Sequence, residues 1–184
     1  MKHLFNEMDS EELFYTVSPC DVDHARSIII DVCDTGDWDV DRYKSQKLRY
    51  YNLYKYEKSP EEYLSFNISK YQRSLFAQFR CGILPLEIEV GRYRNIPLEN
   101  RLCRACNDDI VEDEIHFLCQ CTKYAENRNN LYAQAAHLDP YFYSLDDIDK
   151  FVFLMSNCQK SVSKFLINSV TKRSKSLTIH NLSQ

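Results

Sequence analysis

The segment from Cys103 to Cys121 constrains the fold of this chain more than any other part. It reads CRACNDDIVEDEIHFLCQC and holds four of the eight cysteines together with one histidine. Cys103 and Cys106 form a C-x2-C pair, which lets one tight turn present two thiolates to the same ion, and His116 follows after nine intervening residues. A fourth ligand is available at Cys121 or at Cys119. Cysteine and histidine at such spacings are typical of a structural zinc site with tetrahedral coordination.

Two other interpretations fit the same residues. Cysteine is among the most frequently buried residue types, so all four could be core residues and His116 a hydrogen-bonded core histidine. A Cys/His pair could also be catalytic, but the segment supplies neither a third orienting group nor a glycine-rich oxyanion loop. The whole chain has only 3 glycines. We therefore favour the metal site and expect no enzymatic activity.

The composition predicts a mainly α protein. Of 184 residues 44% are hydrophobic, while glycine and proline are scarce at 3 and 5, so the chain can bury a core and has few tight turns. We expect an acidic N-terminal arm of short helices over residues 1–41 and a helical domain over 42–184, with the zinc segment at 101–124. Leu86, Ile88 and Val90 alternate with glutamates before Gly91, which predicts a short β hairpin inside this domain.

Four helices are predicted in the helical domain. Ser59, Pro60 and Glu62 form a helix start, and apolar residues then recur at helical spacing as far as Phe79, with basic residues on a different stripe. The other helices are expected at 122–138, where Asp139-Pro140 stops the chain, at 145–155 after a capping box of Ser144 and Asp147, and at roughly 160–172.

Charge is distributed unevenly along the chain, although the net charge is only −4. Residues 1–40 carry ten acids against two bases, whereas residues 41–104 carry thirteen bases against seven acids. A basic middle segment is typical of a polyanion-binding surface, and it could equally be matched by acidic segments of the same chain. Tyrosines interleave with the bases over residues 43–58, where they could stack on unpaired nucleobases or pack in the core. The predicted nucleic-acid contacts are Arg73, Arg80, Arg92, Arg94, Arg101 and Arg104, with Tyr50 and Tyr93 as stacking residues.

The N-terminal sequence bears on the compartment. It lacks the apolar run of a signal peptide, and no stretch of the chain approaches the roughly 20 apolar residues of a membrane span. We therefore expect an intracellular protein, nuclear or cytoplasmic, without a membrane partner. In a reducing compartment eight cysteines are better explained by metal binding and free thiols than by disulfides.

A resemblance to a known family is carried by FRCGILPLEIEVGRYRNIPLENRLCRAC and by VEDEIHFLCQCTKYAENR, which follows it. The two stretches resemble the C-terminal zinc-binding segment found after the polymerase domain in reverse transcriptases of non-LTR retrotransposons. The shared elements are a GRY segment, an R-x-C-x2-C pair, an acidic stretch before H-F-L, and a cysteine followed by a tyrosine. They fall here on Gly91-Arg92-Tyr93, Arg101 with Cys103 and Cys106, Glu112-Asp113-Glu114 with His116-Phe117-Leu118, and Cys121 with Tyr124. Thr122 stands where the family usually has proline.

The resemblance implies both a ligand set and a function. It places the four zinc ligands on Cys103, Cys106, His116 and Cys121, so Cys121 is preferred to Cys119. It also implies a noncatalytic module that binds RNA or single-stranded DNA, since the chain has no aromatic-x-Asp-Asp hairpin to hold the metal ions of a polymerase. The alternative is a zinc-stabilised protein-interaction or structural module, or a retroelement remnant, that does not bind nucleic acid.

Overall fold

A computed structural model describes residues 47–56, 59–106 and 108–181 of the chain, with side chains as far as residue 173. These residues belong to one compact unit, Ser45–Gln184. The predicted acidic arm over residues 1–41 and the predicted boundary after residue 41 lie outside the described residues. Among the helices that are described, none is long and apolar enough to cross a membrane.

Helices make up most of the described chain, which confirms the prediction of a mainly α protein. The α-helices are α1 (Lys70–Arg80), α2 (Glu87–Tyr93), α3 (Ala125–Leu138), α4 (Asp147–Asn157) and α5 (Gln159–Asn181). α5 is the longest of them, and it packs against α1, α3 and α4. Short 3-10 turns lie at Tyr51–Leu53, Glu62–Ser65, Leu98–Asn100, Thr122–Tyr124 and Phe142–Ser144, and a π turn lies at His116–Gln120.

Two helix starts differ from the predicted ones because other side chains provide the caps. The Ser59-Pro60 segment leads only into a 3-10 turn, and α1 begins ten residues later, where the Ser69 hydroxyl accepts a hydrogen bond from the Gln72 amide at 3.1 Å. At α4 the cap is the Asp146 carboxylate, 2.8 Å from the Asp149 amide, instead of Ser144. α3 ends at Leu138, as the Asp139-Pro140 pair predicts.

Aromatic side chains from separate segments build one core. The Phe117 ring is fully buried, and its centroid lies 6.2 Å from that of Phe79 in α1 and 5.7 Å from that of Phe165 in α5. Phe79 also lies 6.2 Å from Phe151 in α4. Because Phe117 belongs to the cysteine-rich segment, this segment and the helices share a single hydrophobic core.

The predicted β hairpin is wrong for residues 86–91. Leu86 precedes a short helix, α2, and the part of the chain that the structure describes contains no β-strand, only an isolated antiparallel bridge between Leu102 and Val111. In a strand with this alternation the glutamates would face solvent. Glu87 and Glu89 are instead buried and paired with arginines. A helix can bury both kinds of residue once the carboxylates have partners.

Candidate metal centre

Cys103 and Cys106 lie in a loop at the start of the cysteine-rich segment. The bridge between Leu102 and Val111 closes this loop, and two backbone hydrogen bonds flank it. The Cys103 amide donates to the Ile110 carbonyl at 2.8 Å, and the Glu112 amide donates to the Arg101 carbonyl at 3.0 Å. The two thiols of the C-x2-C pair are therefore held by paired backbone on both sides of the loop.

The π turn His116–Gln120 supplies the other half of the centre. The Cys121 amide donates to the His116 carbonyl at 2.7 Å, which closes a turn over five residues, one more than an α-turn. Asp113 fixes the start of this turn, since its carboxylate accepts from the His116 amide at 2.7 Å. The wider turn lets His116 and Cys121 face the same point.

Four donor side chains converge there. Cys103, Cys106, His116 and Cys121 are all buried, and their donor atoms lie within 4.8 Å of one another. The Sγ atoms of Cys103 and Cys121 are 3.9 Å apart, and Cys106 Sγ lies 3.4 Å from His116 Nε2. The cluster could hold one metal ion, and it contains the four ligands that the sequence predicts.

Cys119 lies outside the cluster, although it is only two residues from Cys121. Its side chain is buried, and burial raises the pKa of its thiol to about 12. Its carbonyl accepts a hydrogen bond from the Tyr132 hydroxyl of α3 at 3.2 Å, which fixes the backbone of the turn at this residue. Cys119 therefore serves as a small apolar core residue.

The thiols of the C-x2-C pair are protonated at neutral pH when protein groups alone surround them. A hydrogen bond with Cys121, together with burial, raises the pKa of Cys103 to about 12, and burial raises the pKa of Cys106 to about 11. Metal ions bind thiolates, so binding at this cluster must displace protons from both cysteines.

Arg128 supports the π turn from α3. The guanidinium is buried, and it donates to the Leu118 carbonyl at 2.7 Å and to the Cys121 carbonyl at 2.8 Å. Carbonyl groups at the end of a helical turn have no partner within the turn itself, so a buried arginine stabilises this end. The sequence did not reveal this role, because an arginine is almost never fully buried unless it is paired.

Two buried glutamates between the ligands are each held by an arginine that is distant in sequence. Glu112 accepts from Arg173 Nε and Nη2 at 3.0 and 2.7 Å. Glu114 accepts from Arg49 Nε and Nη2 at 2.9 and 3.0 Å; burial raises the pKa of Glu114, and Arg49 opposes this shift. Neither pair could be predicted from the sequence, since the partners lie 61 and 65 residues away.

Three of the predicted nucleic-acid contacts are exposed. Tyr93 at the end of α2 is 69% exposed and Arg94 beside it is also exposed. The Arg104 side chain is 48% exposed, although its Nε lies 3.3 Å from a Glu87 carboxylate oxygen. Arg92 is half-buried, and it donates to Glu89 at 2.7 Å and stacks over the Tyr93 ring at 4.7 Å. An exposed patch of arginine and tyrosine therefore lies at the C-terminal end of α2.

Two other predicted arginine contacts have internal partners instead. Arg80 is only 4% exposed; its guanidinium pairs with Glu61 at 2.5 Å and lies 4.9 Å from the Tyr54 ring centroid, so it is removed from the predicted phosphate-binding set. Arg101 donates to the Ile96 and Ile88 carbonyls at 2.9 and 3.0 Å, and it supports the backbone around α2.

The remaining two predicted contacts are also engaged within the protein. The Tyr50 hydroxyl donates to Asp113 and its ring packs 5.6 Å from that of Phe151, so the core-packing interpretation is the right one for Tyr50. Arg73 is partly buried and donates to the Phe66 carbonyl at 3.0 Å. Of the eight predicted contacts, Tyr93, Arg94 and Arg104 are therefore the exposed ones, with the half-buried Arg92 beside Tyr93.

Comparison with known proteins gives no family for this chain. No protein-family model matches it, and searches of curated proteins and of solved structures find no significant match. The resemblance to the retrotransposon segment therefore stays a prediction from the motif residues.

Proposed function

We propose that Cys103, Cys106, His116 and Cys121 bind one zinc ion. A tetrahedral site with metal–sulfur bonds of about 2.3 Å and metal–nitrogen bonds of about 2.0 Å has sulfur–sulfur edges of about 3.8 Å and sulfur–nitrogen edges of about 3.5 Å. The Cys103–Cys121 distance of 3.9 Å and the Cys106–His116 distance of 3.4 Å are close to these edges, and all four donor atoms lie within 4.8 Å of one another. Three thiolates and an imidazole form a donor set that suits zinc, since hard cations such as magnesium prefer oxygen ligands.

The role of this zinc ion is structural. The four protein donors fill the four positions of a tetrahedron, which leaves none for a reacting water or substrate. All four donors are buried, and the segment that carries them contributes Phe117 and Leu118 to the helical core. The ion would hold the loop of Cys103 and Cys106 against the π turn.

Zinc content of two serine variants tests the ligand set. We expect Cys121→Ser to lose bound zinc and Cys119→Ser to keep one zinc per chain, because only Cys121 belongs to the cluster. Elemental analysis after dialysis against trace zinc gives the stoichiometry. Retention of one zinc by Cys121→Ser, or its loss in Cys119→Ser alone, would show that the fourth ligand has been assigned wrongly.

We further propose that this zinc module binds RNA or single-stranded DNA through the patch at the end of α2. Arg94 and Arg104 would neutralise phosphates, and Tyr93 offers an exposed ring on which a base can stack. Arg92 over the Tyr93 ring orients that ring. The observation that supports the proposal is the exposure of these side chains, and the family resemblance makes nucleic acid the first partner to test.

The double variant Tyr93→Ser/Arg94→Glu tests this patch. We expect at least about tenfold weaker binding to single-stranded nucleic acid, because stacking on one aromatic ring contributes about 1–3 kcal/mol. The dependence of log K on log salt concentration should also become shallower by about 1 for the lost phosphate contact. Fluorescence anisotropy with labelled RNA and single-stranded DNA at several salt concentrations measures both quantities.

The matched control is Lys164→Glu, since Lys164 is exposed on α5 and the change reverses one charge. It should bind as wild type apart from a small electrostatic effect, and zinc content should be unchanged in both variants. Equal weakening by the patch variant and the control would mean that net charge alone acts, without a specific surface.

A protein-interaction or purely structural module is the second candidate. It is favoured by the internal partners of Arg80, Arg101 and Tyr50, which remove much of the predicted basic surface. Wild-type protein that binds neither RNA nor single-stranded DNA at low salt, while retaining its zinc, would favour this candidate over the first.

A further inference from the structure

Glu112 connects the metal centre to the C-terminal helix. Its carboxylate is fully buried, and Oε1 lies 3.7 Å from Cys103 Sγ. The same carboxylate accepts two hydrogen bonds from Arg173 of α5 and a third from the Glu87 amide at 2.8 Å. One carboxylate therefore contacts the Cys103 thiol, the first residue of α2 and Arg173 of α5.

This arrangement has an electrostatic consequence once a metal ion is bound. A neutral Cys103 thiol can donate a hydrogen bond to Glu112, but a metal-bound thiolate can only accept one. Three thiolates with a zinc ion carry a net charge of −1, and the buried Glu112 carboxylate then adds a second negative charge 3.7 Å from sulfur. An isolated buried charge in such a place is strongly unfavourable unless a cation is paired with it.

Arg173 is the cation that contacts both oxygens of Glu112, at 3.0 and 2.7 Å. It is itself 8% exposed, and its Nη2 also lies 3.7 Å from a Glu87 oxygen. The two-pronged contact fixes the carboxylate in position as well as neutralising it. Glu112 directly follows Val111, whose backbone closes the Cys103 loop, so a fixed Glu112 fixes the loop.

We propose that Arg173 is a positioning residue for the metal centre, which acts through Glu112 and makes zinc affinity depend on the docking of α5. The inference rests on the proposed zinc site. Removing the arginine charge should weaken zinc binding, whereas removing the glutamate charge as well should restore it, because the unpaired anion beside Cys103 is then gone.

Zinc affinity of four full-length variants tests the proposal, with chelator competition as the measurement. We expect Arg173→Gln to bind zinc about 10- to 100-fold more weakly, the range for partners of metal ligands. Arg173→Gln/Glu112→Gln should recover most of this loss, and Glu112→Gln alone should bind no more weakly than wild type. Lys172→Gln is the control, since it also removes a positive charge from α5. The ion pair of Lys172 with Glu126 lies at the surface.

Cobalt substitution separates positioning from general destabilisation. The thiolate-to-cobalt charge-transfer band should shift in Arg173→Gln, return towards wild type in the double variant, and stay unchanged in Lys172→Gln. If Arg173→Gln does not fold, Glu112→Gln decides the matter, because an affinity loss of tenfold in that variant would overturn the charge argument. Equal zinc affinity of wild type and folded Arg173→Gln would also overturn it.

The outcomes for the zinc site itself are distinct. Wild-type protein that binds no zinc would refute the proposed site, whatever the variants do. Wild-type protein that binds zinc tightly, with no effect of Arg173→Gln, would leave the site intact and refute only the role of Arg173.

Discussion

Removal of the proposed zinc ion is expected to lower the free energy of unfolding by about 4 kcal/mol, relative to protein with free zinc at 1,000 times the dissociation constant. The physical reason is that the four donors meet only in the folded chain, so the ion stabilises the folded state by mass action. Urea unfolding with zinc and with chelator measures the difference. The amides of Cys103 and Glu112, which close the loop, should lose protection from hydrogen exchange first.

Cys103→Ser and Cys158→Ala provide the matched comparison. Both replace a buried cysteine, but only Cys103 belongs to the donor cluster. Cys158→Ala should still be stabilised by added zinc as strongly as wild type, whereas Cys103→Ser should respond weakly or not at all. An equal response of the two variants would mean that zinc stabilises the protein at some other place.

Phe117→Ala is expected to lower the free energy of unfolding by about 3–5 kcal/mol, the range for deletion of a buried phenylalanine. The ring is fully buried, and its centroid lies 4.8 Å from that of Tyr124 and 5.7 Å from that of Phe165. The cavity would separate the π turn from α5, so zinc affinity should fall as well. Thermal or urea unfolding of the zinc-loaded protein gives the first quantity, and chelator competition gives the second.

Tyr141→Ala is the control for Phe117→Ala. Tyr141 is a large aromatic residue that is 77% exposed, so its truncation should change stability by no more than about 0.5 kcal/mol. A loss below about 1 kcal/mol for Phe117→Ala would contradict the shared core, since that is less than truncation of a tightly packed ring should cost.

The donor set could be predicted from sequence because its information is local. Cys103, Cys106 and His116 lie within fourteen residues, and the chemistry of their side chains leaves few alternatives. The choice between Cys121 and Cys119 could not be made from spacing alone. The choice depends on the turn after His116, which is a π turn instead of an α-turn. A π turn is one residue longer than an α-turn, and no local sequence pattern indicates which of the two forms.

The surface prediction failed where long-range partners decide burial. Arg80 lies on a helix whose pattern suggests an exposed basic stripe, but the Glu61 carboxylate and the Tyr54 ring come from separate segments and enclose it. Tyr50 likewise packs on Phe151, about a hundred residues away in sequence. Amphipathic periodicity describes a single helix, so it carries no information on which other segments cover its polar face.

The strand prediction for residues 86–90 failed for a related reason. Alternation of apolar and acidic residues indicates a strand only if the acids face water. Glu89 is paired with Arg92 and Glu87 with Arg104, and both carboxylates are buried, so the pattern has lost its usual meaning. Gly91 lies within this helix and packs directly on the aliphatic part of Arg101, where an added Cβ would lie 2.6 Å from Cγ. The glycine therefore permits close packing of the helix and does not mark a hairpin turn.

The two distant arginines set a limit on how small an autonomous folding unit can be. A peptide covering only residues 101–124 would keep all four donor side chains but would lose Arg49 and Arg173, which neutralise Glu114 and Glu112. Both acids would then be drawn into solvent, and the loop and the π turn would separate. We therefore expect that removal of either flanking segment destabilises the Cys/His cluster, in contrast to short zinc fingers, which fold as isolated peptides.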